Sequence, residues 1–399
     1  MKITIHRGQN QVGGSIIEIS TRNTKVIFDV GMNLDEANKI DVPQIEGVFC
    51  GNASYDAIII SHYHGDHMGL LPYVLKGIPI YLGKQAANIV NAVSEYRRTD
   101  IGYSFLCYED GQKLQIGELM ITPIRCDHSA YDSYMFLVEG DGKQILYSGD
   151  FRSNGRMKFN ELIKRIPKVE ALIIEGTMLN RETYKDNIQE ELLEDIAKEE
   201  LDKYTGPAFL LTSAMNVERV VTGYNASRST NRIFLEDLYT AGIMSAINEK
   251  VPVPSRENGV RVFMTGGSEE YKLLQRYPKA KIGINAIAKT RFLMCIRPSM
   301  KNYLTGLSKK CSFENGILFY GMWKGYLERK DMKEFISYME SLGVKIHVLH
   351  TSGHADINAI NALVEAVSPQ YIIPVHTENP DWYLRYDAKV ILDKEELCL

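Results

Sequence analysis

The stretch Ser61-His62-Tyr63-His64-Gly65-Asp66-His67-Met68-Gly69 places four potential metal ligands within six positions, directly after the apolar run Ala57-Ile58-Ile59-Ile60. Imidazole nitrogens and a carboxylate together suit Zn²⁺. A strand that ends in a tight loop can turn the side chains of residues 62, 64, 66 and 67 inward around two adjacent ions. The stretch therefore predicts a dinuclear metal site at the end of a strand.

The remaining ligands are sought among the other histidines and aspartates, because four donors cannot complete two metal sites. A lone histidine is more often a packed residue than a ligand, and we keep that interpretation for His6 and His347. Further candidates stand at the ends of predicted strands, in Asp127-His128-Ser129, Ser148-Gly149-Asp150 and Pro374-Val375-His376. One zinc ion would then be held by His62, His64 and His128, the other by Asp66, His67 and His376, with Asp150 bridging the two.

Composition describes a globular protein without a membrane segment. The chain has 399 residues, of which 45% are hydrophobic, which predicts two domains or one domain with an insertion. No apolar run approaches the ~20 residues that span a bilayer. The first residues lead into strand-like sequence without a signal-peptide core, so we expect a cytoplasmic protein. Six scattered cysteines without a CxxC pair indicate reduced thiols, and we assign no metal to sulfur.

Charge is distributed unevenly along the chain. The net charge is −4, yet residues 256–310 contain twelve Lys or Arg against three Glu, a balance of +9 that leaves −13 for the rest. Such a region could bind a phosphate backbone, or it could be an ordinary basic surface. Composition leaves both interpretations open.

Apolar patterns predict an α/β protein built from two strand-helix series. The first series runs to about residue 180, and a second begins at Pro207. Ligand-type residues return after the apolar runs that end at His350 and His376. We therefore predict a first domain at residues 1–180, an inserted domain at 181–335 and the C-terminal part of the first domain at 336–399.

The order His-x-His-x-Asp-His, a later His, a Gly-Asp and a last His resembles the metallo-β-lactamase fold. This resemblance implies an αββα sandwich with a metal centre. The same fold serves lactonases, glyoxalases, diiron proteins, sulfatases and nucleases, so it does not decide the function.

Three further segments resemble the signature motifs of the β-CASP nucleases: Leu172–Thr177, His350–Ala355 and Pro374–Glu378. Within the insertion, Thr212–Arg219 and Arg232–Ala241 resemble the β-CASP domain of ribonuclease J. The resemblance implies a metallo-β-lactamase sandwich with an inserted α/β β-CASP domain that hydrolyses single-stranded RNA.

The chain departs from ribonuclease J at two points. It reads His376-Thr377-Glu378 where ribonuclease J has His-Gly-Glu, and only 23 residues follow His376, so we expect no C-terminal domain of that family. Exonuclease or endonuclease mode and the oligomeric state, a homodimer included, stay open.

The resemblance also implies a mechanism for phosphodiester hydrolysis. Two Zn²⁺ ions, or Mn²⁺ or Mg²⁺, would acidify a bridging water near neutral pH and neutralise charge on the phosphate. Asp150 would position the resulting hydroxide, and Asp66 would be a second catalytic carboxylate of the same centre. His354 would face the phosphate and either stabilise the charged transition state or protonate the leaving oxygen. Glu175 would accept a hydrogen bond from a metal-binding histidine. A structural histidine in a polar turn and a surface carboxylate are the alternatives for the latter two.

Substrate contacts are predicted in two segments. His350, Ser352 and Gly353 match the phosphate-binding pocket of ribonuclease J, although an ordinary tight turn explains them equally well. Ser213, Asn216 and Arg219 would face a cleft, with Arg219 pairing with phosphate. Helix capping is an equally natural role for Ser213 and Asn216.

Two other functions remain compatible with the sequence. The same centre could hydrolyse a small ester, lactone or thioester. Alternatively, the chain could bind nucleic acid as a subunit without hydrolysis, although every ligand position is occupied.

Overall fold

The computed structural model of the chain describes residues 1–34, 40–180, 187–392 and 396–399, which fall into two compact units. Unit 1 consists of Met1–Val90, Thr99–Lys185 and Gly353–Leu399. Unit 2 consists of Asn91–Arg98 and Asp186–Ser352. The chain therefore leaves unit 1, builds unit 2 and returns.

The strands follow one another in this order. Unit 1 begins with β1 (Lys2–Arg7), β2 (Ile16–Ser20), β3 (Lys25–Phe28), β4 (Ala57–Ile59), β5 (Ile80–Gly83), β6 (Leu106–Tyr108), β7 (Leu114–Ile116), β8 (Leu119–Cys126), β9 (Ser133–Gly140), β10 (Lys143–Tyr147) and β11 (Ala171–Ile174). Unit 2 contains β12 (Ala208–Leu211), β13 (Ile233–Asp237), β14 (Val260–Phe263), β15 (Phe292–Ile296), β16 (Gly316–Tyr320) and β17 (Val344–Val348). Unit 1 ends with β18 (Tyr371–Pro374), β19 (Lys389–Val390) and β20 (Leu397–Cys398).

The α-helices lie between these strands. They are α1 (Gly65–Met68), α2 (Lys84–Arg97), α3 (Phe159–Ile163), α4 (Glu190–Lys203), α5 (Val217–Ser229), α6 (Leu238–Ala246), α7 (Ser268–Leu274), α8 (Ile284–Ile287), α9 (Lys301–Ser308), α10 (Lys330–Ser341) and α11 (Ile357–Val367). Within the described residues, no helix combines the length and apolar character that crossing a membrane requires.

Unit 1 is built on two sheets with strand orders β20-β1-β2-β3-β4-β5-β6 and β19-β18-β11-β10-β9-β8-β7. Alternating apolar residues bury one face of each strand, as Ile3 and Ile5 do in β1. They pack with residues of the second sheet such as Phe136 and Ile173 in one core. The two sheets are therefore the inner layers of a sandwich.

Helices cover the outer face of the second sheet. Leu146 and Leu172 point away from the sandwich core and pack with Leu162 of α3 and Leu363 of α11. Helix α11 begins where the side chain of Asp356 accepts a hydrogen bond from the backbone N–H of Ala359 at 2.8 Å. This arrangement confirms the predicted α/β class for unit 1.

Unit 2 is a parallel sheet with strand order β14-β13-β15-β12-β16-β17 and helices on its faces. Met294 and Leu318 pack against Leu304 of α9 and Phe335 of α10 on one face. On the other face Gly223 lets α5 approach closely, because a Cβ there would stand 2.6 Å from Leu210.

The described boundaries differ from the predicted ones at the C-terminal side of unit 2. We expected the first domain to resume at residue 336, but unit 2 continues to Ser352. The reason is that β17 pairs with β16 as the edge strand of the unit 2 sheet, and Met339 of α10 packs in its core. The predicted boundary between residues 180 and 181 adjoins residues 181–186, which lie outside the described residues.

Candidate metal centre

The predicted ligands of unit 1 meet because their strands end at one edge. Strands β3 and β4 are parallel, as are β10, β11 and β18, so the carboxyl ends of each set lie together. Strand β8 runs in the same direction as β10, because each is antiparallel to β9. The residues that follow these ends are Asp29 after β3, His62 and His64 after β4, His128 after β8, Asp150 after β10, Glu175 after β11 and His376 after β18.

The donors fall into overlapping groups whose ligand atoms lie within 4.8 Å of one another: His62, His64 and His128; His62, His67 and Asp150; Asp66, His67 and His376; and Asp150, Glu175, His354 and His376. Oδ2 of Asp150 lies at their middle. It is 3.2 Å from Nε2 of His67, 3.7 Å from Nε2 of His376 and 3.8 Å from Nε2 of His62. The structure thus brings together every residue that the sequence predicted as a metal ligand.

Several of these donor atoms are buried without a hydrogen-bond partner among the described residues. They are Nε2 of His62, Nε2 of His67 and both carboxylate oxygens of Asp150. Leaving buried polar atoms unsatisfied is costly, and a divalent cation satisfies them by coordination. Imidazole and carboxylate donors in this number fit such an ion, so the centre binds divalent metal.

The Nδ1 atoms of three of these histidines form hydrogen bonds with groups that surround the centre. Nδ1 of His128 donates to the backbone carbonyl of Gly353. Nδ1 of His376 lies 2.7 Å from the hydroxyl of Thr177, and Nδ1 of His62 lies 3.1 Å from the hydroxyl of Ser61. These contacts fix the rings so that Nε2 points towards Asp150. His64 differs, because its Nδ1 faces Nε2 of His128 at 3.2 Å.

Asp29 is a supporting residue that sequence reasoning missed. It is fully buried, and its Oδ2 accepts from Nδ1 of His67 at 2.8 Å, from the Tyr147 hydroxyl at 2.6 Å and from the Ser61 hydroxyl at 2.8 Å. Its backbone adopts φ +60°, a conformation that aspartate tolerates better than most residues. The available signal was a charged residue directly after the apolar strand Val26-Ile27-Phe28.

Glu175 is paired with His354. Its carboxylate lies 3.2 Å from Nδ1 of His354 and accepts from the backbone N–H groups of Phe151 at 3.0 Å and Ala355 at 3.3 Å. We expected a metal-binding histidine as its partner, but His354 is not one of the predicted ligands. Burial lowers the pKa of His354, but the carboxylates of Glu175 and Asp150 outweigh it and raise this pKa to about 9.

Arg219 does not have its predicted role. Its side chain is fully buried, and its Nε donates to Glu190 at 2.8 Å. Its NH1 group donates to the backbone carbonyls of Gly321 at 3.0 Å and Leu349 at 2.6 Å. The guanidinium therefore holds the interior of unit 2 together and is not available to a phosphate.

The other predicted residues of unit 2 have local structural contacts. Asn216 caps α5 by accepting from the backbone N–H of Arg219 at 3.2 Å, as the capping alternative proposed. Ser213 is exposed, and its hydroxyl accepts from the backbone of Met215 at 3.3 Å. Both contacts are with backbone N–H groups and do not test substrate binding, so substrate binding by Ser213 and Asn216 remains a prediction.

The segment 350–353 is divided between the two units. His350 is half-buried, and its Nδ1 lies 3.4 Å from the carbonyl of Gly321. The backbone N–H of Ser352, which we expected to face a phosphate, donates to Asn187 at 3.3 Å. In unit 1, Gly353 offers its carbonyl to His128, and a Cβ there would stand 2.5 Å from the hydroxyl of Ser129. Gly353 thus supports a metal ligand.

Within the basic segment 256–310, several arginines have partners in unit 2. Arg276 pairs with Glu95, and Arg297 pairs with Asp237. Arg261 donates to the carbonyl of Ser255 at 2.8 Å. Most of the lysines of this segment are exposed, so the basic surface depends mainly on lysine.

Comparisons with known proteins agree with this geometry. Residues 35–200 match the family described as beta-lactamase superfamily domain, and residues 329–381 match the Zn-dependent metallo-hydrolase RNA specificity domain. An RNase J-like protein of Methanocaldococcus jannaschii is 24% identical over 94% of this chain and 92% of its own length. Ribonuclease J of Mycoplasma genitalium is 21% identical over 94% of this chain and 68% of its own length.

A solved structure shares the fold over the whole chain. A protein of unknown function from Enterococcus faecalis superimposes with a TM-score of 0.82 at 18% identity, covering 100% of this chain and 99% of the other. Fold and site together define a metal-dependent hydrolase of the metallo-β-lactamase superfamily. Within that superfamily the chain is similar to ribonuclease J-type β-CASP proteins.

Proposed function

We propose that this protein is a cytoplasmic ribonuclease that hydrolyses phosphodiester bonds of single-stranded RNA with two zinc ions. The observation that carries the proposal is the convergence of buried, unsatisfied donors on Asp150. The RNA substrate is supported by the match of residues 329–381 to an RNA specificity domain and by similarity to ribonuclease J.

The donor groups divide naturally between two ions. His62, His64 and His128 would hold one, and Asp66, His67 and His376 the other. Asp150 would serve both, since its Oδ2 lies within 3.9 Å of Nε2 of His128 on one side and within 3.7 Å of Nε2 of His376 on the other. When bound, two divalent cations supply an acidified water and neutralise negative charge on the phosphate.

The protein's own contribution is to orient the donors and to move a proton. Asp29 and Thr177 hold His67 and His376 from outside, so the ligands are in place before substrate arrives. Glu175 holds Nδ1 of His354, which leaves Nε2 as the nitrogen that would donate a proton to the departing oxygen. We therefore assign His354 as the general acid and Glu175 as its positioning residue.

RNA oligonucleotides labelled at either end and carrying a 5′-monophosphate, 5′-triphosphate or 5′-hydroxyl group test the proposal. We expect zinc-dependent cleavage, and the products distinguish release of single nucleotides from internal cutting. The variant Asp66→Ala with His67→Ala serves as the control, because it removes two ligands. Protein with two bound zinc ions that cleaves no RNA but hydrolyses a small ester, lactone or thioester would overturn the proposal.

A further inference from the structure

Two aromatic side chains of unit 2 are exposed side by side. Trp323 is 44% exposed and Tyr326 is 42% exposed. Their ring centroids lie 5.4 Å apart at an interplanar angle of 85°, so the rings touch edge to face. We call Trp323, Tyr326 and the neighbouring Arg329 the aromatic platform. Exposed aromatic rings that lie together form an apolar patch to which a ligand can bind.

Local backbone structure holds the platform in place. Residues Lys324–Glu328 form a short 3₁₀-helix, and the Tyr320 hydroxyl donates to the carbonyl of Trp323 at 3.3 Å. The indole ring lies over Gly325, where a Cβ would stand only 2.3 Å from ring atoms. Only glycine at this position lets the ring adopt its place. The indole is therefore ordered before any ligand binds, which reduces the entropic cost of binding.

Positive charge accompanies the rings. Residues 323–333 contain four Lys or Arg, at 324, 329, 330 and 333, against two acids, at 328 and 331. Arg329 pairs with Asp331 at 3.3 Å and Lys333 pairs with Glu328 at 2.7 Å, so the local excess is two positive charges. The guanidinium of Arg329 lies 6.0 Å from the centroid of Tyr326. Aromatic rings interleaved with basic side chains are the combination that binds unpaired bases and their phosphates.

The platform follows the carboxyl end of β16, beside the end of β17. Tyr320 pairs with Val348 at the last register position, and Nδ1 of His350 lies 3.4 Å from the carbonyl of Gly321. The platform therefore lies beside the end of β17, at the carboxyl edge of the unit 2 sheet.

We propose that the aromatic platform stacks unpaired bases of single-stranded RNA. This inference rests on the proposed function for the identity of the nucleic acid. Two rings surrounded by charged side chains are too small an apolar area for a stable protein interface, which needs ~800 Å² on each partner. Charge complementarity with phosphate favours RNA over an apolar partner.

Tryptophan fluorescence gives a direct test, because the chain has two tryptophans and Trp382 is only 9% exposed. Full-length protein carrying Asp150→Asn, which we expect to be inactive, is titrated with a single-stranded RNA, a duplex RNA and an abasic oligonucleotide of the same length. We expect the single-stranded RNA to bind most tightly and to quench the emission. The abasic strand should bind more weakly and leave the emission unchanged.

Substitutions in the same background separate stacking from charge. Trp323→Ala should weaken binding of single-stranded RNA roughly tenfold, the effect of losing one stacked base. Trp323→Phe should retain most of the affinity but lose the quenching. Leu192→Ala is the control, since Leu192 is 48% exposed on α4 of unit 2, outside both the platform and the basic segment. We expect that variant to bind as the parent does.

Unchanged affinity of both Trp323→Ala and Tyr326→Ala would overturn the inference while leaving RNA cleavage by the wild-type protein, and so the proposed function, intact. Wild-type protein that neither binds nor cleaves RNA would overturn both. If Trp323→Ala instead altered the oligomeric state measured by light scattering, with RNA affinity unchanged, the platform would be a protein interface and the inference would be wrong.

Discussion

Two clusters of charged side chains are equally buried but differ in their hydrogen bonding. In unit 2, Glu190 and Arg219 are fully buried, and their groups pair with each other, with the Thr222 hydroxyl and with backbone carbonyls. In unit 1, Asp150 is equally buried, but neither of its oxygens has a hydrogen-bond partner among the described residues, although Nε2 of His67 lies 3.2 Å from Oδ2. Burial alone therefore does not mark a functional site. What distinguishes the metal centre from this pair is that several donors without a hydrogen-bond partner converge on one point.

The largest effect is expected when the satisfied cluster is broken. Arg219→Met should lower the free energy of unfolding by about 3–5 kcal/mol, because it leaves Glu190 charged and unpaired in the interior. Urea unfolding of the metal-free protein measures this loss. Adding Glu190→Gln should restore part of it. A loss below about 1 kcal/mol for the single variant would show that the pair is not a structural element.

Removing the central carboxylate of the metal centre should reduce activity strongly and stability only slightly. Asp150→Asn should lower kcat on RNA roughly a hundred- to a thousandfold, because the proposed metal ions lose the carboxylate that serves both of them. The metal-free protein should lose less stability than it does with Arg219→Met, because the desolvation of the carboxylate offsets part of its attraction to His67 and His376. Kinetics on labelled RNA and urea unfolding measure the two effects. Asp381→Asn, an exposed carboxylate of the same unit, is the control.

An intermediate effect is expected for Asp29. Its own carboxylate has hydrogen-bond partners, and it orients His67, whose Nε2 has none among the described residues. Asn tolerates the positive φ of this position, so Asp29→Asn removes the charge without disturbing the backbone. We expect zinc affinity to fall about 10–100-fold, because His67 loses the carboxylate that orients it. Calorimetric titration of zinc measures this change. Unchanged affinity would contradict a supporting role.

The smallest effect is expected for a satisfied cluster near the surface of unit 1. Glu18 accepts from the Tyr55 hydroxyl at 2.7 Å and lies 3.0 Å from Nε2 of His6. At neutral pH, Glu18→Gln should cost about 1.5 kcal/mol of unfolding free energy, typical of a hydrogen bond to a charged group.

This contribution should depend on pH. Burial acts to raise the pKa of Glu18, but the contacts with His6 and Tyr55 outweigh it and lower this pKa from 4.5 to about 2. A depressed pKa in the folded state stabilises the protein above the unfolded value. The difference between wild type and Glu18→Gln should thus be complete above about pH 4.5 and vanish towards pH 2. Unfolding curves that show a constant difference would contradict it.

Much of the metal centre could be predicted because its ligands are concentrated in sequence or stand at strand ends. His62, His64, Asp66 and His67 lie within six positions, and His128, Asp150 and His376 each follow an apolar run. The strand-helix series also gave the α/β class. These features are local, so one sequence suffices to see them.

Features that depend on long-range pairing could not be predicted. Whether Arg219 faces solvent or Glu190 depends on how α4 packs against α5. The sequences of the two helices do not reveal this packing. Glu175 pairs with His354 across 179 positions, so its partner could not be read from its neighbours. The end of unit 2 was also misplaced, because an edge strand such as β17 can join either domain on sequence evidence alone.

The position of His376 also concerns how the protein is made. Strand β18 lies between β11 and β19, yet the ribosome synthesises it only after all of unit 2. Domains fold from the N-terminus as the chain emerges. A nascent chain that already carries His62, His67 and Asp150 therefore lacks both the strand and the ligand that complete its centre. We expect the protein to acquire its full metal set, and with it any activity towards RNA in the cell, only after unit 2 and β18 have been synthesised.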